Sequence, residues 1–247
     1  MNIVIVGGGT MGTGVAKMLK RNNLDSKFIS IRHEVPISNE ALDLIGSADV
    51  ILECVTESES EKNFVHLICS EQNFDGLIAS CTSSLSISQL QKSIVNPSRF
   101  LGIHFMNPPA AIPFVEIAVG ELTSQESLDR AIFWLESIHR VVTLVPDSPG
   151  FALNAILFAM LNRAAYFVQD SAMNPQAVDE LLIGVCGHKL GPLATLDLIG
   201  LDVSLTILEN LHAQEPEMNL PPAPVIQKFV KEGNLGKKTK KGFYTYG

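Results

Sequence analysis

The chain has 247 residues, with 18 lysines and arginines against 26 aspartates and glutamates, so its net charge is −8 at pH 7. This length is enough for one or two domains with a sizeable core, which excludes a disulfide-stapled mini-protein. The acidic balance repels phosphate backbones and anionic lipids, so we expect neither nucleic acid nor a membrane as a partner. The sequence therefore predicts a soluble protein.

Two features bear on the compartment in which the protein works. The four cysteines are too far apart for paired metal-ligand spacing, so no metal site is predicted, and they lie in apolar stretches, as buried free thiols do. The chain begins directly on an apolar run, without the basic segment that opens a targeting sequence. We therefore expect a protein of the reducing cytoplasm.

Seven short apolar runs occupy the first part of the chain, and most of them are separated by helical patterns. This alternation predicts βαβ units and an α/β fold with a doubly wound, mostly parallel sheet. A helix is also predicted between Ser124 and Arg140, where apolar residues recur at helical spacing. The predicted strands are Asn2–Val6, Lys27–Ile31, Val50–Val55, Leu77–Cys81, Phe100–Phe105, Phe114–Ala118 and Val141–Val145.

The pattern changes at Pro146–Gly150, a cluster of residues that break regular structure. Beyond it we find helical periodicity and no convincing strand. Helices are predicted at roughly 151–170, 175–186, 192–212 and 222–232. The sequence therefore predicts a first, α/β domain over residues 1–147 and an all-helical second domain over residues 148–247.

A glycine-rich turn follows the first predicted strand. Gly7, Gly9 and Gly12 form the pattern G-x-G-x-x-G, with Thr10 and Met11 between the last two glycines. The first glycine permits a tight turn, the second lets a pyrophosphate approach the backbone, and the third lets the following helix pack against the strand. The start of that helix would supply N–H donors to phosphate. The turn predicts a Rossmann-type dinucleotide-binding domain, with these five residues at the cofactor.

The position that selects the adenosine ribose lies about 20 residues beyond the glycine turn, at the end of the second strand. An Asp or Glu is expected there for NAD, whereas this chain has Arg32, two residues after Ser30. A guanidinium suits the 2′-phosphate of NADP better than a ribose hydroxyl. NAD and NADP both stay open as cofactors, and an exposed strand-end charge without a ligand explains Arg32 equally well.

Polar side chains with catalytic potential lie in or directly after three other predicted strands. Ser83 lies in a hydroxyl-rich turn at a carboxyl edge, where ligands bind in open α/β sheets. His104 lies near the end of the next strand, and an imidazole can take a proton from an alcohol near neutral pH. Glu116 places a carboxylate inside an apolar strand, where burial demands a partner. Each residue taken singly is more often structural.

Taken together, these motifs resemble the L-3-hydroxyacyl-CoA dehydrogenases, including the short 3-hydroxybutyryl-CoA dehydrogenases. The spacing agrees with the family: His104 follows Ser83 by 21 residues, Glu116 follows His104 by 12, and Asn154 follows Glu116 by 38. The resemblance extends over nearly the whole chain. Besides the glycine turn, its segments are Thr82–Leu85, Gly102–Pro108, Val115–Ile117, Pro149–Asn154, Gly191–Pro192, Asp197–Asp202 and Gly242–Tyr244.

The resemblance implies hydride transfer between a nicotinamide cofactor and a 3-hydroxyacyl or 3-ketoacyl group, first of all one carried on CoA. In that reaction His104 would be the general base that removes the 3-hydroxyl proton, and Glu116 would orient its imidazole. Ser83 and Asn154 would form hydrogen bonds with the reacting oxygen and the neighbouring carbonyl. These four residues are the catalytic set that the resemblance predicts.

The resemblance also suggests further cofactor residues and an assembly. Glu57 and Lys62 lie where the family has its nicotinamide-ribose segment, and Asn107 would lie close to the reaction. Exposed residues in the first turns of a helix would explain Glu57 and Lys62 equally well. In the family the helical part forms a homodimer, and the apolar helix from Phe151 to Val168 could supply that interface here.

The chain departs from the family between the second and third strands. Family members carry a helical excursion there, with basic residues that clamp CoA, whereas Asp49 follows Arg32 by only 17 residues, room for one short helix at Asn39–Gly46. We therefore keep three alternatives open: a carrier-protein thioester as substrate, a free 3-hydroxy acid, or a non-catalytic dinucleotide-binding protein. Three single positions also differ from the usual residues, namely Met106, Pro109 and Ala155.

Overall fold

The computed structural model describes residues 1–33, 35–72, 74–171 and 173–247. The chain divides into two compact units, Met1–Phe151 and Ala152–Gly247. The first unit alternates strands and helices, whereas the described residues of the second form helices and no strand. The division falls just beyond the Pro146–Gly150 cluster, which is where the change of pattern in the sequence predicts a boundary.

A seven-stranded sheet forms the centre of the first unit. Its strand order is β2-β1-β3-β4-β5-β6-β7, and all neighbouring strands are parallel except β5 and β6. The prediction of seven strands in a mostly parallel sheet is therefore confirmed. The strands are β1 (Ile3–Val6), β2 (Ser26–Ile29), β3 (Val50–Glu53), β4 (Leu77–Ser80), β5 (Phe100–Phe105), β6 (Phe114–Ala118) and β7 (Val141–Val145).

Burial explains which strands are read most easily from the sequence. Every residue of β1, β3, β4 and β5 is buried, as expected for inner strands of a parallel sheet. The edge strands β2 and β7 expose several side chains. Strand β3 ends two residues earlier than predicted because the Val55 N–H turns back to the side chain of Glu53, at 2.9 Å, instead of a neighbouring strand.

Five helices accompany the strands of the first unit. The short helix predicted at residues 39–46 is confirmed, and its first turn is capped by Ser38, whose hydroxyl accepts from the Ala41 N–H. Apolar residues of the first and last of these helices pack in one core with β1 and β5. The helices are α1 (Thr10–Arg21), α2 (Asn39–Gly46), α3 (Glu59–Glu71), α4 (Ile87–Leu90) and α5 (Gln125–Ser137), with 3₁₀ turns at Gln91–Ser93 and Pro97–Arg99.

The topology of the sheet defines where a ligand can enter. The chain runs from β1 to β2 on one side and then crosses back over β1 to reach β3 on the other side. In open α/β sheets such a reversal opens a crevice at the carboxyl ends of the strands. Gly7 follows β1 and Cys54 follows β3 at this edge, so the fold places the glycine turn at the crevice.

The second unit packs its helices around leucines such as Leu161, Leu196 and Leu208. The prediction of one helix over 192–212 is wrong, because Gly200, with φ +104°, separates two helices there. None of the described helices has the length and apolar character needed to span a membrane. The helices are α6 (Leu153–Ser171), α7 (Pro175–Cys186), α8 (Pro192–Ile199), α9 (Leu201–Gln214) and α10 (Pro224–Lys231), with a 3₁₀ turn at Lys237–Thr239.

Candidate active site

The glycine turn joins β1 to α1 at the crevice. Gly7 has φ +108°, and a Cβ at this position would lie 2.6 Å from the carbonyl oxygen of Cys54, so a side chain is excluded by both conformation and space. A Cβ on Gly12 would overlap the carbonyl oxygen of Gly7. The turn is therefore as tight as the pattern predicts, and α1 packs directly against it.

The space above the turn is open and suited to an anion. A Cβ added to Gly8 or Gly9 would meet no atom of the described chain within 4 Å. Helix α1 begins directly after Gly9, and its start is capped by no side chain in the described parts of the chain. Free N–H groups at a helix start bind phosphate, and the helix dipole adds positive potential there. Thr10 and Met11 are the first two residues of this helix. The residues present therefore fit the pyrophosphate of a dinucleotide.

Arg32 lies beyond the end of β2, beside the same turn. Ile29 is the register partner of Val6, and its carbonyl oxygen accepts from the Gly7 N–H at 3.1 Å. The chain leaving β2 thus passes next to the glycine turn, and both Ser30 and Arg32 are exposed. The Arg32 guanidinium therefore belongs to an exposed residue of the segment that follows β2.

His104 and Glu116 face each other across β5 and β6. They are register partners in this antiparallel pair, and His104 Nδ1 lies 2.8 Å from Glu116 Oε2. Because an ionised carboxylate can only accept, the ring donates from Nδ1, so the neutral form of the ring carries its lone pair on Nε2. The two side chains are only 10% and 7% exposed, so water competes little for this bond. The geometry is that of a base oriented by a carboxylate.

The turn after β4 carries Ser83 and is held by one carboxylate. Glu57 Oε1 accepts from the N–H groups of Ser83 and Ser84, at 2.8 and 2.9 Å, and from the hydroxyl of Thr82 at 2.6 Å. The hydroxyls of Ser83 and Ser84 lie 3.3 and 3.0 Å from the same oxygen. We call residues 82–84 the Ser83 turn. Since β4 and β5 are parallel neighbours, this turn and His104 lie at the same edge of the sheet.

Glu57 belongs to a group of neighbouring ionisable side chains that we call the charge cluster. Its other members are buried, namely Glu53, Lys62 and His66. Lys62 Nζ lies 2.8 Å from Glu53 Oε1 and 3.5 Å from Glu57 Oε2. His66 Nε2 lies 3.3 Å from Glu53 Oε2. The explanation of Lys62 as an exposed residue of a helix start is wrong, because the side chain has no exposed surface.

Glu53, Glu57 and Lys62 hold one another in the ionised form. Burial alone would raise the pKa of Glu53, but the charge of Lys62 and the hydrogen bond from His66 outweigh it and lower the pKa to about 2. Burial opposes ionisation of Glu57 too, and Lys62 together with the hydrogen bonds of the Ser83 turn lowers its pKa. The pKa of Lys62 is raised, because the charges of Glu53 and Glu57 outweigh the effect of burial.

Two other predicted residues, Asn107 and Asn154, lie on different elements. Asn107 is exposed just beyond the end of β5, and Asn154 is a buried residue of the first turn of α6 in the second unit. Sequence reasoning missed Glu53 and His66 as members of the site. The signal for Glu53 was present, since it is a carboxylate in an apolar strand, as Glu116 is. His66 follows Lys62 by four residues on α3 and so shares its helix face.

Comparison with known proteins identifies the family. Residues 25–148 match the family described as "3-hydroxyacyl-CoA dehydrogenase, NAD binding domain", and residues 150–246 match "3-hydroxyacyl-CoA dehydrogenase, C-terminal domain". The chain belongs to the 3-hydroxyacyl-CoA dehydrogenase family. It is therefore an NAD-dependent oxidoreductase, which sets aside the alternative of a non-catalytic dinucleotide-binding protein.

Individual relatives cover most of the chain. A probable 3-hydroxybutyryl-CoA dehydrogenase of Bacillus subtilis is 34% identical over 231 residues, which cover 92% of this chain and 79% of the relative. The 5-formyl-3-hydroxy-2-methylpyridine 4-carboxylate 5-dehydrogenase of Mesorhizobium japonicum is 29% identical over 285 aligned positions, covering 99% and 90%. The crystal structure of (S)-3-hydroxybutyryl-CoA dehydrogenase from Ralstonia eutropha matches with a TM-score of 0.90 at 28% identity, covering 100% and 99%.

Proposed function

We propose that this enzyme interconverts a 3-hydroxyacyl-CoA and the corresponding 3-ketoacyl-CoA, with NAD as its partner in hydride transfer. The observation that carries the proposal is the His104–Glu116 pair, with 2.8 Å between Nδ1 and Oε2, at the carboxyl edge of a dinucleotide-binding sheet. The parallel neighbour of its strand carries the Ser83 turn. The family assignment supports the same reaction.

The residues have complementary parts in the proposed reaction. Bound NAD supplies the acceptor for the hydride that leaves C3. His104 Nε2 takes the proton of the 3-hydroxyl group, and Glu116 stabilises the imidazolium that results. In ketone reduction the protonated ring returns that proton to the oxygen. Ser83 and Asn154 are proposed to form hydrogen bonds with the reacting oxygen and the neighbouring carbonyl, with Asn107 close by.

The cofactor residues are proposed along the crevice. The open space above Gly9 and the uncapped start of α1 support a pyrophosphate held by the glycine turn, Gly7–Gly12, which includes Thr10 and Met11. Glu57 is proposed to accept from the nicotinamide ribose, since its side chain remains 27% exposed. Lys62 belongs to the same segment, but its side chain has no exposed surface.

An assay of the reduced-nicotinamide absorbance with acetoacetyl-CoA and NADH tests the proposal. The wild-type enzyme should consume NADH, and His104→Ala should lower kcat by about 10²–10⁴, the usual contribution of a general base. His139→Asn is the matched control, because this histidine is exposed and its φ of +59° is tolerated by asparagine. An inactive wild-type enzyme, or full turnover by His104→Ala, would refute the proposal.

A second candidate cofactor, NADP, is favoured by the exposed guanidinium of Arg32 beside the glycine turn. If it binds a 2′-phosphate, Arg32→Asp should lower the ratio of kcat/KM for NADPH to that for NADH by about tenfold or more, the size of one charge-assisted contact. Lys27→Asp makes the same change of charge on β2 at an exposed site and should leave the ratio unchanged. An unaltered ratio in Arg32→Asp would leave NAD as the sole candidate.

A second candidate substrate class is favoured by the segment between β2 and β3, whose described residues contain only the eight-residue helix α2. The Mesorhizobium relative, by its name, acts on a pyridine carboxylate. A carrier-protein thioester or a free 3-hydroxy acid therefore stays a proposal beside CoA. The substrate class is decided by comparing kcat/KM for acetoacetyl-CoA with the values for acetoacetyl-N-acetylcysteamine and free acetoacetate. An enzyme that binds CoA should prefer the full CoA thioester.

Two further proposals concern assembly and compartment. Apolar side chains are exposed on α6 and α7, among them Ile156 (73%) and Val185 (81%), which supports a homodimer formed through the second unit. Light scattering of the purified protein should give twice the chain mass of 26.8 kDa. The four cysteines carry free thiols, which supports the reducing cytoplasm as the working compartment.

A further inference from the structure

Three buried ionisable side chains of the charge cluster, Glu53, Lys62 and His66, have no direct part in the proposed reaction. We propose that Glu53, Lys62 and His66 are positioning residues, which hold the Ser83 turn in place through the carboxylate of Glu57. The inference rests on the proposed function only in taking Ser83 as a substrate contact. The arrangement of the turn itself is independent of that assignment.

Lys62 acts through the side chains next to it. Its side chain has no exposed surface, and Nζ lies between two carboxylates of the same chain, Glu53 at 2.8 Å and Glu57 at 3.5 Å. A well-packed apolar side chain would fill this space at a lower desolvation cost, since burying charges is expensive. A lysine at this place is therefore explained by what its charge holds in position.

Glu53 holds the ammonium group of Lys62 in a fixed position. Oε1 accepts from Lys62 Nζ and from the Val55 N–H at 2.9 Å. Oε2 accepts from the Ser80 hydroxyl at 2.7 Å and lies 3.3 Å from His66 Nε2, which must donate because an ionised carboxylate only accepts. Donors from the turn after β3, from β4 and from α3 thus fix one carboxylate, and through it the position of Lys62.

The carboxylate of Glu57 connects Lys62 to the Ser83 turn. Glu57 Oε2 faces Lys62, while Oε1 accepts from two backbone N–H groups and from the Thr82 hydroxyl. Glu57 is partly exposed, so without the ammonium group its carboxylate would face the buried Glu53 carboxylate and could move toward water. The N–H groups of Ser83 and Ser84 would then lose their acceptor. The cation therefore decides whether the turn is held.

Hydrogen exchange of the unliganded full chain tests this directly, by mass spectrometry of peptides that contain residues 82–86. In Lys62→Met, the acceleration of exchange at the Ser83 and Ser84 amides, relative to the wild type, should be at least tenfold greater than the acceleration in peptides from β1, which reports the global loss of stability. Unchanged protection of the two amides would overturn the proposal. Because no substrate is present, this result stands even if the proposed dehydrogenase activity fails.

Kinetics distinguish positioning from direct binding of the cofactor. With acetoacetyl-CoA and NADH, Lys62→Met should lower kcat at least tenfold, while the Kd for NADH, measured by fluorescence titration, should rise no further than in Glu57→Gln, which alters the proposed ribose contact itself. A Kd that rises further in Lys62→Met than in Glu57→Gln would mean that Lys62 contacts the cofactor. A lower Tm with unchanged kcat would mean that the charge cluster serves stability alone. Either result overturns the proposal.

A milder variant keeps the test decisive if Lys62→Met does not fold. Ser80→Ala removes one donor from Glu53 Oε2, and it should change exchange of the turn and kcat in the same direction, by about threefold, with a Kd for NADH that rises no further than in Glu57→Gln. Ile3→Val, a small core deletion in β1, is the control for a general loss of stability. If Ser80→Ala resembles Ile3→Val in all three measurements, the proposal fails.

Discussion

The two units both bury carboxylates, but they satisfy them in different ways. In the first unit Glu53 is paired with an ammonium group at 2.8 Å and bonded to an imidazole. In the second unit Asp197 accepts from the N–H groups of Phe243 and Tyr244, at 3.0 and 2.9 Å, and from the hydroxyl of Tyr246 at 3.0 Å. Within the described residues, no cationic side chain forms an ion pair with Asp197.

This difference decides the direction in which each carboxyl group titrates. Burial by itself raises the pKa of both groups. For Glu53 the charge of Lys62 outweighs burial and lowers the pKa to about 2. For Asp197 the hydrogen bonds do not offset burial, so its pKa stays raised. Glu53 therefore adds stability that is present above its unfolded pKa of about 4.5 and is lost as pH falls through about 2. Asp197 contributes with the opposite sign, losing stability as pH rises through its raised pKa.

Removal of the cation should have the largest effect on stability. Lys62→Met leaves the fully buried Glu53 carboxylate, and the partly exposed Glu57 carboxylate, without their shared partner, so we expect a loss of about 3–5 kcal/mol in the unfolding free energy. Urea unfolding followed by the fluorescence of Trp134, the single tryptophan and a residue of the first unit, measures it. Lys228→Met, at an exposed pair 4.0 Å from Glu232, should change stability by less than about 0.5 kcal/mol. Similar losses of unfolding free energy in Lys62→Met and Lys228→Met would contradict the conclusion that the buried carboxylates of the first unit depend on the Lys62 cation.

Removal of charge from Asp197 should have a smaller effect. Asp197→Asn sets an NH₂ group against N–H or hydroxyl donors, which should cost about 1–3 kcal/mol for the unsatisfied bonds. All three tyrosines lie in the second unit, so tyrosine fluorescence follows its unfolding. Asp170→Asn, an exposed residue of α6, is the control. A cost as large as that of Lys62→Met would mean that dipoles and cations are equally important here.

The pH dependence of stability should show the smallest effect and the clearest contrast. Between about pH 2 and pH 4.5 the wild-type protein takes up a proton at Glu53 on unfolding, so its unfolding free energy rises with pH. Glu53→Gln removes this proton uptake and should reduce that rise by at most about 1.4 kcal/mol per pH unit. Just above pH 3.8, the ordinary pKa of an aspartate, Asp197→Asn should make that rise steeper on the tyrosine signal. Changes of the same sign in the two variants would refute the contrast.

The order of elements, the glycine turn and the family could all be predicted from the sequence, because they depend on local patterns. A buried parallel strand is a continuous apolar run, and a tight turn over a pyrophosphate needs Gly7 and Gly12 at their places. His104 and Glu116 could also be found, since a carboxylate in an apolar strand needs a partner and the family spacing indicates which. The strand pairing then places the two face to face.

Only the tertiary structure showed that Lys62 is buried and that Glu53, His66 and Ser80 surround its partner. These contacts join residues 9, 13 and 27 positions apart, on two strands and a helix. Nothing in the local pattern of α3 distinguishes a buried cation from an exposed one, because the difference lies in which carboxylates the neighbouring strands bring to it. The break at Gly200 is of the same kind, since its helical neighbours continue one apolar pattern on either side. Periodicity and turn chemistry act over a few residues, whereas the pairing of buried charges is decided by the packing of the whole unit.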